Sequence, residues 1–116
     1  MKLVLSPQMI PISQVLPLVD KHLKHMAANE AVRFKTYKKD RSILIYCRAM
    51  GEFSLIEQGF HHHTCTGDRH SILKQTKKAL QREFPRSNTA WVEYFEQVDD
   101  PFNLTSAHNR QASLFD

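Results

Sequence analysis

The chain has 116 residues, 41% of them hydrophobic, a formal net charge of +4 and two cysteines. That size suits one compact domain with one core and a short tail. It leaves no room for a bilayer-spanning segment, since no apolar run approaches the roughly 18–20 residues required, and Cys47 and Cys65 are too few and too far apart for a disulfide framework or a CxxC redox site.

The start, MKLVLSPQMIPIS, reads as a short strand over its first six residues, followed by a turn at Pro7 and Pro11. Pro7 and Gln8 interrupt the apolar stretch, so it lacks the core of a secretory signal, and a cytoplasmic protein with no membrane partner is expected. Ser13 is a candidate helix cap, and Leu16, Val19, Leu23 and Met26 recur at helical spacing. Pro17 fits the first turn of that helix, and Asn29 is a stop signal. AVRFK alternates, with Val32 and Phe34 on one face and Arg33 and Lys35 on the other, which predicts a half-buried strand with a basic outer face. RSILIYCRAM is the strongest strand signal, and Gly51 marks the turn after it. EFSLIEQGFHHHTCT reads as one further strand with a bulge or bend at Gly59. Asp68 or Ser71 then caps a helix running to about Phe84, with Ile72, Thr76, Ala79, Leu80 and Phe84 inward and Lys74, Lys77, Lys78 and Arg82 largely outside; Pro85 ends it. In TAWVEYFEQV, the stripe Trp91, Tyr94, Phe95 and Val98 predicts a third, short helix. The remainder has no sustained period and reads as a mobile tail.

The expected fold class is therefore α+β. An antiparallel three- or four-stranded sheet is packed by helices, in the order β-α-β-β-β-α-α, with a flexible C-terminal tail. Residues 1–100 form the basic domain and 101–116 the tail. This element order, with lysines on the last long helix, resembles the double-stranded-RNA-binding domain and the ribosome hibernation promoting factor. That resemblance rests on layout over about residues 1–85 and implies RNA contact.

Charge is unevenly spread. Residues 21–48 carry eight Lys/Arg against Glu30 and Asp40, and residues 69–86 carry six against Glu83. Residues 87–116 carry Arg110 against five acidic residues. A basic body of this kind suits a polyanion, DNA or RNA. Arg33, Lys35, Arg48, Arg69, Lys74, Lys77, Lys78 and Arg82 are the candidate contacts, and Tyr37 and Tyr46 would join them on an open sheet face as a platform for single strands.

HHHTC places His61, His63 and Cys65 on one strand face, with His70 beyond. These are zinc-ligand types, but no second Cys/His cluster completes a four-ligand set, so no metal site is expected. No nucleophile elbow, P-loop, HExxH or paired-carboxylate pattern is present, and neither catalysis nor a cofactor is expected. The two cysteines read as buried free thiols.

The tail ends QASLFD. Gln111-Ala112-Ser113-Leu114-Phe115 resembles the bacterial sliding-clamp-binding pentapeptide, Q-x-[S/D/L]-L-F, at every defined position. The resemblance implies that Leu114 and Phe115 fill an apolar pocket on the clamp while Gln111 and Ser113 complete the motif. Without such a partner, the Leu-Phe pair would fold back onto its own domain. The function expected is thus an accessory factor of DNA replication or repair, or of a mobile element, docked on the sliding clamp. The alternative is a ribosome- or RNA-binding module of the hibernation-factor type.

Overall fold

The computed structural model describes residues 2–59 and 62–104. Six strands, β1 (Lys2–Pro11), β2 (Ala31–Lys35), β3 (Ser42–Ala49), β4 (Glu52–Gln58), β5 (His62–Gly67) and β6 (Thr89–Glu96), form one antiparallel sheet in the order β1-β6-β2-β3-β4-β5. Helices α1 (Val15–His25) and α2 (Arg69–Glu83) pack side by side on one face. The fold is α+β. No helix among the described residues is long and apolar enough to cross a membrane.

Three elements differ from the sequence expectations, each for a physical reason. TAWVEYFE is strand β6, not a helix, and it lies between β1 and β2. Ala90 and Val92 point to the helices while Glu93 and Phe95 face the other side or its rim. Next, the stretch read as one bent strand is a hairpin of β4 and β5, in which Gln58 pairs with His62. A Cβ on Gly59 would collide with the Glu83 carboxylate and the Arg41 stem, so only glycine lets the chain leave β4 this closely over the end of α2. Finally, β1 runs through Pro7 to Pro11. As an edge strand it tolerates proline, and register shifts between Leu3, Leu5 and Gln8 absorb the irregularity. A 3-10 turn, Ile12–Gln14, precedes α1, so Ser13 makes no capping bond there, while Pro17 falls in the first turn.

The main core lies between the sheet and the helices. Val15, Val19 and Leu23 of α1 and Ile72 and Ala79 of α2 cover Val32, Phe34, Ile43, Ile45, Phe53 and Leu55. Asp68 caps α2, its carboxylate accepting from the Ser71 amide at 2.9 Å.

The middle of the opposite sheet face is also buried. Ala31, Leu44, Tyr46, Ile56 and Phe95 form a second apolar cluster with Val98 and Leu104 of the segment that follows β6. The Tyr46 hydroxyl lies 2.8 Å from the Val98 carbonyl and 3.0 Å from the Asn29 side-chain oxygen. Residues 101–104, read as the start of the tail, form a helical turn that begins behind Asp100, whose carboxylate accepts from the Phe102 amide at 3.0 Å. Phe60, His61 and residues 105–116, including the whole QASLF segment, lie outside the described residues.

Arg33 and Lys35 point away from the helices, as alternation requires, but they are buried rather than solvent-facing. Both pair with Glu93 across β2 and β6: Arg33 Nε donates at 2.9 Å and Lys35 Nζ at 3.2 Å to the same oxygen, Oε1. Arg33 also packs over the Phe95 ring, 5.1 Å from its centroid, and donates through Nη1 to the Leu104 carbonyl at 3.2 Å. Burial works to raise the Glu93 carboxyl pKa, but the hydrogen bond and charge of Arg33, then of Lys35, outweigh it and hold it below its ordinary 4.5. Burial, followed by the charge of Arg33, pushes the Lys35 ammonium below its ordinary range.

Removing this carboxylate leaves two buried cations without a counter-ion. Glu93→Gln is therefore expected to destabilise the fold by about 3–5 kcal/mol at neutral pH, measured by urea unfolding. Because the folded pKa is depressed, the native protein draws stability from Glu93 in full above the unfolded pKa, near 4.5, and loses it as pH falls through the folded value. Glu93→Gln lacks that component of the acid loss. Equal stability of the two proteins at pH 7 would show that the triad has no structural weight.

Candidate nucleic-acid interface

The eight candidate basic residues divide into those whose charge is already engaged and those that face water. Arg33 and Lys35 belong to the buried triad, so the platform of Arg33, Lys35, Tyr37 and Tyr46 does not exist as an open face; Tyr46 is buried with them. Arg82 makes a two-pronged pair with Glu57, its Nε donating to Oε2 at 3.0 Å and its Nη2 to Oε1 at 2.6 Å. The Glu57 side chain is 1% exposed, so Arg82 serves as the counter-ion of a buried carboxylate on β4. That hydrogen bond raises the guanidinium pKa further. Arg69 pairs at 3.2 Å with Asp20 of α1, which Lys24 also approaches at 3.5 Å.

Lys74, Lys77 and Lys78 differ. They are exposed, and among the described residues no carboxylate lies within ion-pair distance of any of them. Their placement follows from the inward residues of α2. Ile72, Thr76, Ala79 and Glu83 bury one side of the helix, which turns the lysines outward. Lys74 and Lys78 are one turn apart, about 6 Å along the axis, with Lys77 beside them. Gln75 and Arg82 of the same helix line a shallow depression of about 380 Å³ with His62 and His63 of the edge strand β5. Arg48, exposed at the end of β3, lies on a different element and does not extend this stripe.

No group of three His, Cys, Asp or Glu side chains among the described residues could hold a metal ion. His63 and Cys65 do share a sheet face, as alternation predicts, with His62 on the other; His61 is outside the described residues. Cys47 is a buried free thiol and Cys65 a half-buried one. Burial raises the pKa of both, which makes them poor nucleophiles.

A second concave site, not anticipated from the sequence, lies where the β2–β3 turn meets the connection from α2 to β6. Its volume is about 670 Å³ and it is lined by Tyr37, Lys38, Arg41, Arg86 and Asn88 among others. Lys38-Lys39-Asp40 reads as a plain polar turn, and Arg86 as the residue after a helix-ending proline. The β2–β6 pairing brings the two segments together, helped by the Arg41 hydrogen bond to the Glu83 carbonyl.

No protein-family model and no curated protein matches the sequence. Among solved structures the chain is similar to the Pseudomonas avirulence protein AvrPphB, with a TM-score of 0.53 and 13% identity, over 81% of this chain and 52% of that one. The chain thus spans about half the length of that structure. At such low identity the likeness is one of fold alone.

If the α2 stripe meets nucleic acid, Lys74→Gln, Lys77→Gln and Lys78→Gln together should flatten the slope of log K against log salt for duplex DNA by roughly 2.7. Each substitution should change stability by less than about 0.5 kcal/mol, because these side chains are solvated. An unchanged slope would make the stripe a solvated helix face only.

Proposed function

We propose that this chain is an accessory factor of DNA replication or repair, or of a mobile element, that docks on the bacterial sliding clamp through Gln111, Ser113, Leu114 and Phe115. The Lys74, Lys77 and Lys78 stripe contacts nucleic acid beside it. The observation that carries this reading is the match of QASLF to the clamp-binding pentapeptide at every defined position.

Two physical points support it. Burying Leu114 and Phe115 in an apolar pocket is worth on the order of 1.5–3 kcal/mol each before ordering costs, which makes the pair the main anchor of the peptide. The other concerns the base of the segment. Leu104 is buried, and its carbonyl is held by Arg33, so the peptide starts from a fixed point on the domain. The six intervening residues, 105–110, can span at most about 20 Å when extended. A module tethered this closely would reach DNA at high effective concentration once the peptide is seated.

Titration calorimetry with purified clamp tests the reading. The intact protein should bind with micromolar affinity. A chain ending at Arg110 and a Leu114→Ala, Phe115→Ala double variant should each lose at least about 100-fold, the equivalent of roughly 3 kcal/mol. Failure of the intact protein to bind would remove clamp docking. Co-sedimentation with ribosomes that is lost at high salt would then favour the RNA-binding alternative.

A further inference from the structure

We infer that the cleft between the β2–β3 turn and the α2–β6 connection is a nucleotide-binding site, in which an aromatic base stacks on Tyr37 and its phosphate is held by Lys38, Arg41 and Arg86. This inference rests neither on clamp docking nor on the α2 lysines, because it uses different residues on a different part of the surface.

Size and shape come first. The cleft holds about 670 Å³, within the range of small-molecule sites and ample for one nucleotide unit. Its walls are fixed. Across the turn, the Thr36 amide donates to the Arg41 carbonyl at 3.0 Å and the Lys39 amide to the Thr36 carbonyl at 2.9 Å. Lys39 takes the left-handed conformation that closes the turn, with φ 63°. On the other wall, Asn88 is tied to the start of the 3-10 turn, its carbonyl accepting from the Ile12 amide at 2.8 Å. The Trp91 indole donates to the Tyr37 carbonyl at 3.2 Å, with the Lys39 ammonium over its ring, so it braces the turn from below.

Chemistry then selects the ligand. Tyr37 is 68% exposed, a large aromatic surface that no core uses. Lys38, Arg41 and Arg86 bring three cations to the walls, against the single carboxylate of Asp40. Asp40 is itself occupied, accepting from the Thr36 hydroxyl at 2.6 Å, and that bond holds its pKa below the usual carboxylate range. Arg41 donates through Nη1 to the Glu83 carbonyl at 3.2 Å, which anchors its guanidinium at the back of the cleft. Ser87, Asn88 and Thr89 add hydrogen-bonding groups. An exposed ring beside a cluster of cations is the combination that binds a base together with its phosphate. A fully apolar ligand would make no use of Lys38 and Arg86, and an anion without a ring would leave Tyr37 unused.

The unit could come from a free nucleotide or from a single strand, and two probes separate these sources. Binding of thymidine monophosphate is measured by equilibrium dialysis, and binding of labelled octathymidylate by fluorescence anisotropy, with quenching of Trp91, the chain's one tryptophan, as a direct report from the cleft. Tyr37→Ala should weaken binding by about 5- to 150-fold, whereas Tyr37→Phe, which keeps the ring, should bind like the intact protein. Arg86→Glu should weaken both probes, and the triple lysine-to-glutamine variant of α2 should keep the dependence on Tyr37. Comparable affinity for both probes marks the free nucleotide as the ligand; much tighter binding of the octamer marks the strand. The inference is overturned if the intact protein binds neither probe at millimolar concentration, or if Tyr37→Ala and Arg86→Glu bind both as tightly as the intact protein.

Discussion

A carboxylate buried between two cations organises the half of the molecule that the helices do not cover. Glu93 joins β6 to β2 through Arg33 and Lys35, and Arg33 reaches on to the Leu104 carbonyl. Hydrophobic burial alone would let that sheet face pack in several registers. A buried charge tolerates only the register that neutralises it. The triad therefore aligns the last strand, sets the position of the segment after it, and closes the second apolar cluster around Tyr46 and Phe95. Arg82 and Glu57 play a similar part on the helical face, where they tie α2 to β4.

This use of charge explains why a basic sequence presents a smaller basic surface than its composition suggests. Four of the eight candidate cations are held by carboxylates from other elements: Arg33 and Lys35 by Glu93, Arg69 by Asp20, and Arg82 by Glu57. What remains for a polyanion is concentrated on the outer side of α2 and around the turn at Lys38. The acidic residues that offset these charges lie far away in the sequence, which is why local charge balance overstated the exposed face.

Legibility varied with the range of the interaction involved. RSILIYCRAM is a strand from its β-branched content alone, and α2 is readable from its Asp68 cap, its inward spacing and Pro85. Local signals settle both. TAWVEYFE fits helical spacing through Trp91, Tyr94 and Phe95 and fits strand alternation through Ala90, Val92 and Tyr94. Eight residues are too few to separate the two periods, and the deciding factor is the partner strands on either side. Arg33 and Lys35 sit at alternate positions, the pattern of a solvated strand face. Their burial depends on Glu93, sixty residues away, and on the cover supplied by Val98 and Leu104. The cleft at Tyr37 was illegible for the same reason, since its two walls meet only once β6 has been inserted.

That insertion has a consequence for how the molecule is made. Strands β2 to β5 form a meander of neighbours and can pair as soon as each is synthesised. Strand β1 is first in the chain, yet among the described residues its one neighbour in the sheet is β6, with Lys2 opposite Glu96. Throughout synthesis of the intervening residues β1 has no partner, and the edge of β2 that will receive β6 stays open. Closing that gap joins the two ends of the domain in one late step, with a large loop-closure cost and slow, topology-limited kinetics. Until then a nascent chain exposes an unpaired apolar strand and an unfilled sheet edge, the two features through which β-proteins associate with copies of themselves. The open edge of β2 is covered, and β1 gains its partner, only when Thr89–Glu96 has left the ribosome.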